Sequence, residues 1–91
     1  MITGVVIGNV VSTVQHPFYA GKKLLMVEKT RNHGERTGDY LLAVDHAGAG
    51  AGEHVLVLDE GNGARQIVGD AQAPLRSIIV GIIDEIEITK T

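Results

Sequence analysis

No stretch of this chain holds twelve residues of clean 3.6-residue apolar periodicity. Helix bundles and helical repeats are excluded on that ground. What recurs instead is the short β-branched run cut off by a turn signal. Ile2–Val14 (ITGVVIGNVVSTV) is the longest run, and both its faces are largely apolar. Lys23–Glu28, Tyr40–Asp45, His54–Leu58 and Ser77–Ile88 follow. In the last, period two puts Ile78, Val80, Ile82, Ile86 and Ile88 on one face, with Ile79, Gly81 and Ile83 on the other. The breaks fall at His16–Pro17 and Gly21, at Asn32–Gly34 with Gly38, at Gly48–Gly52, at Asp59–Gly63 and at Pro74. One or two helical turns fit around Ala64–Val68. Five short strands with glycines inside the first and last (Gly4, Gly8, Gly81) predict an all-β fold: a small five-stranded OB-like closed barrel with at most one short helix. A small open β-sandwich is the alternative.

Ninety-one residues make a single domain, residues 1–91. A chain this short buries only about 60–65% of the surface its unfolded form exposes. With no Cys for disulfides, no Trp and 12 Gly, its core is small, which favours oligomerisation. The absence of Cys also removes thiol catalysis and cysteine metal sites. Lys and Arg number 8 against 11 Asp and Glu, a formal net charge of -3, and duplex-binding domains ordinarily carry the opposite balance. The first 21 residues lack charge, yet no basic segment precedes them, and Asn9, Ser12, Thr13, Gln15 and His16 interrupt the apolar run. Ile78–Ile83 is far shorter than the roughly 18–20 residues of a membrane-spanning helix. The expectation is a soluble, cytoplasmic chain without membrane contact.

Motifs for chemistry fail one by one. Gly48–Gly52 reads G-x-G-x-G and leads into a strand, so no helix N-terminus is there to hold a pyrophosphate. Gly21-Lys22 lacks the earlier glycine and the following Ser or Thr of a phosphate loop. His16, His33, His46 and His54 show no metal-ligand spacing. Ser12 and Ser77 lie outside any nucleophile elbow. Asp45, Glu53 and Asp84 read as turn caps or as partners for Arg65 and Arg76 before they read as catalytic acids. No catalytic, cofactor-binding or metal-binding residue is expected, and no cofactor. A barrel of this kind often binds single strands of nucleic acid or a sugar as a monomer or dimer. That use needs aromatic platforms and a basic groove, and only Phe18, Tyr19 and Tyr40 are aromatic here.

Taken together, the segments resemble one family. Gly4-Val5-Val6-Ile7-Gly8-Asn9-Val10-Val11-Ser12-Thr13 with His16-Pro17, then Gly21-Lys22-Lys23-Leu24-Leu25-Met26-Val27, are similar to the opening of the bacterial microcompartment vertex proteins. These are the pentameric shell proteins of carboxysomes and of ethanolamine- and propanediol-type metabolosomes. Leu42-Ala43-Val44-Asp45 followed by Gly48-Ala49-Gly50-Ala51-Gly52-Glu53 resembles their most distinctive element. Gly61-Asn62-Gly63-Ala64-Arg65 and Ile79–Asp84 resemble two more. Asn62-Gly63 and Leu75-Arg76-Ser77 depart from the pattern locally. The resemblance implies an OB-like barrel in a five-fold ring that caps shell vertices among hexameric shell proteins, without bond chemistry. A closed ring needs a heterologous interface. The second apolar face of the first strand then meets a neighbour. Gly48, Ala49, Gly50, Ala51, Gly52, Glu53 and Arg65 become the expected interface or axis-proximal residues. Five unpaired carboxylates near one axis would repel, so Glu53 is expected to be paired, with Arg65 as the candidate.

Overall fold

The computed structural model describes residues 1–10, 21–31, 34–71 and 76–84. Five strands and one helix follow in the order β1 (Ile2–Asn9), β2 (Leu24–Thr30), β3 (Arg36–Asp45), β4 (His54–Asp59), α1 (Gly61–Val68) and β5 (Ser77–Ile82). The strands close into a barrel in the order β1-β2-β3-β5-β4, with β4 pairing back onto β1. All pairings are antiparallel except β3 with β5. Closure gives every strand a neighbour on both sides, although β3 meets β5 only at Val44 and Asp45. The continuations of the first and last runs expected at Val11–Val14 and Glu85–Ile88 lie outside the described residues, as do His16, Pro17, Phe18, Tyr19, His33 and Pro74.

Strand alternation sorts the apolar residues into two clusters. Val6, Leu25, Val27, Ala43, Val55, Val57 and Ile79 fill the barrel interior. Val44, Ala64 and Ile78 form a second cluster with Leu24, Leu58, Val68 and Val80. On β2, β3 and β5 these alternate with interior residues, so the second cluster lies on the outer wall, where α1 covers it. The helix begins at Gly61, three residues before the sequence reading placed it. Glu60 explains the early start, because its side chain accepts from the Gly63 N–H as an N-cap. Gly69 closes the helix in the left-handed conformation at φ 72°. The bare Gly63 lets α1 lie close on β4, since an added Cβ would stand 2.8 Å from Leu58 Cδ2.

Three bulges interrupt the ladders, and the one on β5 corrects the period-two reading of that strand. On β5, Val57 pairs with Ile79 but Leu56 pairs with Gly81, which leaves Val80 extra. The phase flips there. Ile78 and Val80 belong to the outer cluster, whereas Ile82 packs against the barrel interior. On β1, Ile7 is the extra residue between Val6 and Gly8. On β3, Glu28 pairs with Tyr40 and Thr30 with Arg36, so β3 carries two additional residues there. Gly38 sits in that bulge at φ 80°. It is therefore part of a strand, not of the preceding turn as the sequence suggested.

Candidate functional site

The Gly-rich segment is a cap on one end of the barrel, organised by the carboxylate that precedes it. Asp45 ends β3, and its Oδ1 accepts from the N–H groups of Ala47, Gly48 and Ala49 at 3.0, 3.1 and 3.2 Å. Lys23 adds a second tie. Its Nζ donates to the Ala49 carbonyl at 2.7 Å and stands 3.7 Å from Asp45 Oδ2. The turn thus folded drives Ala49 wholly into the barrel core, with Ala47 packed beside it. Gly48 and Gly52 have φ of 77° and 86°, where a Cβ is strained. Gly52 donates to the Val6 carbonyl at 2.7 Å, and Val6 donates to the Glu53 carbonyl at 2.9 Å, which stitches the loop to β1. The side chain of Ala49 is committed to its own barrel. The residues that this loop turns outward are Gly48, Ala51 and Gly52.

Glu53 has a partner inside the chain, and it is a backbone group. Its Oε1 accepts from the Gly50 N–H at 2.6 Å. Arg65 lies on α1 and donates to Asn62 Oδ1 at 2.6 Å, one helical turn away. The structure does not join Glu53 and Arg65 in an ion pair within one chain; among the described residues the pairs are Lys23–Asp45, Arg36–Glu28 and Arg76–Asp59. Arg76 therefore meets Asp59 and not Asp45, Glu53 or Asp84. Ser77 joins it, donating to Asp59 Oδ1 at 2.6 Å. That bond, reinforced by Arg76, holds the Asp59 carboxyl below its ordinary value. Arg65 also lines a shallow groove along α1 with Asn62, Gln66, Gly69, Asp70 and Ala71. Among the described residues no three His, Asp or Glu side chains converge as metal ligands.

The sequence pointed to a neighbour-facing side on β1 alone, whereas the open outer wall runs across β1, β2 and β3. There α1 gives no cover. Ile7, Tyr40 and Leu42 stand 40%, 55% and 49% exposed. Met26 is half-buried between them, paired with Gly8 on one side and Leu42 on the other. The signal was present in LLMVE and YLLAVD, which are apolar at both parities like the first strand. A barrel with a filled interior has no internal use for the second set. Isolated exposed apolar residues are ordinary, but a contiguous group on one wall marks a contact surface.

The family model for the ethanolamine utilisation protein EutN/carboxysome proteins matches residues 1–84. The bacterial microcompartment shell vertex protein EutN of Escherichia coli K12 is 41% identical over 86 residues, covering 94% of this chain and 90% of that one. The solved structure of Gloeobacter violaceus CcmL superposes with a TM-score of 0.88 at 34% identity, covering 97% of this chain and 90% of that one. The GrpN pentameric microcompartment shell protein from Rhodospirillum rubrum superposes with a TM-score of 0.83 at 32% identity, covering 98% of this chain and all of that one. Among the described residues no helix is long and apolar enough to cross a membrane.

Proposed function

Because the chain belongs to the EutN/carboxysome family, we propose that it is a structural shell protein that forms a homopentamer and caps the vertices of a bacterial microcompartment. The observation that carries this reading is the likeness along 98% of the chain to GrpN, a pentameric shell protein. The role is assembly and involves no bond chemistry. Flat sheets of hexameric tiles close into a polyhedron only where five-fold units turn the corners, and such a unit must close on itself through a heterologous interface.

The wall features support this reading locally. One half of the apolar outer wall is covered by α1 and the other half, Ile7, Met26, Tyr40 and Leu42, is open. In a ring each open half lies against the next copy. Gly48, Gly50 and Gly52, with Ala51, keep the neighbouring cap loop low. Glu53 enters the ring with one carboxylate oxygen already bonded to the Gly50 N–H. Arg65, held only by a neutral amide, is available to a carboxylate of the adjacent subunit. Hexameric shell proteins are the second partner, met at the rim of the ring.

Co-expression with hexameric shell proteins tests the role. With the chain present, closed polyhedral particles form that contain it at their corners. Without it, the hexamers give sheets or tubes. Equally closed particles in its absence would contradict the vertex role.

A further inference from the structure

Glu28 is buried to 4% exposure, as deeply placed as the Asp45 side chain of the cap, yet its position on β2 points it outward. Leu25 and Val27 fill the interior, so Leu24, Met26 and Glu28 alternate onto the outer wall. Across that wall Glu28 pairs with Val5 on β1 and Tyr40 on β3. Beyond Val5 lies His54 of β4. What covers the carboxylate is the two-residue bulge of β3. Arg36 Nε donates to its Oε1 at 2.6 Å and the Gly38 N–H to its Oε2 at 2.9 Å. Thr37 Oγ1 ties the same bulge to the Lys29 carbonyl at 2.8 Å and accepts from the Asp39 N–H. The bulge ends at Tyr40, the first residue of the open apolar wall.

The barrel interior does not need this arrangement. A regular β3 would pair Thr30 with Gly38 and carry no extra residues. The bulge changes only where β3 departs from the wall ahead of Tyr40; from Tyr40 onward the pairing with β2 is regular. It also consumes both oxygens of a carboxylate that would otherwise face the surface meeting the next copy, where an unpaired charge is costly to desolvate.

We propose that Glu28 is a positioning residue for subunit association: by holding the Thr37–Asp39 bulge through Arg36 and Gly38, it fixes where β3 leaves the open wall next to Tyr40 and keeps that wall free of bare charge. The proposal rests on the pentamer reading above. Arg36, Tyr40 and, one strand further, His54 are the titratable or charged groups facing Glu28 from neighbouring elements. Arg36 is the leading cause of the lowered Glu28 carboxyl, followed among the lowering effects by the Gly38 N–H, with burial opposing both.

The test is the native mass of the wild-type chain, Glu28→Gln and Arg36→Gln across a dilution series, repeated down a pH series, with far-UV circular dichroism on the same samples. Glu28→Gln is expected to keep the barrel spectrum and weaken association about tenfold, the loss of a charge-assisted hydrogen bond. Arg36→Gln, at a largely exposed site, is expected to weaken it similarly and to move acid dissociation of the ring to higher pH. Glu28→Gln is expected to lose the acid step that Glu28 supplies. A merely structural role would lower the melting point and change its acid dependence, without weakening association of the folded chain at neutral pH. If Glu28→Gln does not fold, Arg36→Gln decides. Association and acid midpoint unchanged in Arg36→Gln would overturn the inference while leaving the ring intact. A wild-type chain that stays monomeric would overturn the pentamer reading and this inference with it.

Discussion

Asp45 carries more of the cap than any other side chain, and replacing it by alanine isolates that contribution. Three N–H groups converge on Oδ1. The Gly48 N–H is exposed and can turn to water at little cost. Those of Ala47 and Ala49 are partly buried, and Ala49 sits in the core at 0% exposure. Leaving two such donors unsatisfied costs about 2–6 kcal/mol, at about 1–3 kcal/mol for each. For a domain of this size that lowers the melting temperature by about 10–30 °C. Asp45→Asn keeps the accepting oxygen and loses only the charge, so it is expected to cost about 1 kcal/mol. Thermal unfolding followed by circular dichroism reads both variants. The protein concentration must be fixed, because association shifts the midpoint. The ordering wild type, then Asp45→Asn, then Asp45→Ala is the expected result. Asp45→Ala melting within about 2 °C of wild type would refute the reasoning, since two buried donors cannot be lost so cheaply.

Gly4→Ala is expected to destabilise the barrel by about 1–3 kcal/mol through overpacking. Its Cβ would stand 2.8 Å from the Glu28 carbonyl oxygen and also collide with Val27, which urea unfolding would register. Leu42→Ser is expected to leave the isolated barrel nearly as stable while weakening association about tenfold per contact. Only about half of a leucine's burial, about 1–1.5 kcal/mol, remains to be gained there; analytical ultracentrifugation measures it. Glu28 and Asp59 are both held below their ordinary values of 4.5 and 3.8 in the folded chain. A depressed carboxyl stabilises the fold above its unfolded pKa and loses that contribution as pH falls through the folded one. Urea midpoints are therefore expected to be flat above about pH 5 and to fall steadily below about pH 4; a midpoint that rose on acidification would contradict both assignments.

The five strands and their closure into a barrel were legible because β-branched runs and glycine breaks report backbone shape directly. The Asp45 turn was legible in part, as a carboxylate beside a Gly-rich stretch. What the sequence could not show depended on single-residue register. Val80 is an unremarkable strand residue until the ladder puts it in a bulge and sends Ile82 inward. Gly38 reads as a turn residue unless Glu28, ten positions away, is known to cap its N–H. Helix α1 was read short because Glu60 caps it from a stretch otherwise rich in turn residues. The expected Glu53–Arg65 pair failed within the chain for a related reason. Each residue finds a partner three positions away, which a search for opposite charges overlooks. The open wall was legible on β1, as a second apolar face, and unread on β2 and β3, because its extent depends on which half of the barrel α1 covers.

The native mass of the purified chain tests the account most directly. The account predicts one species at 48 kDa, five times the 9.6 kDa chain, persisting on dilution to micromolar concentration. A monomer or dimer under those conditions would contradict it. The open wall of β1, β2 and β3 would then need another occupant, and the ligand-binding barrel would become the better reading.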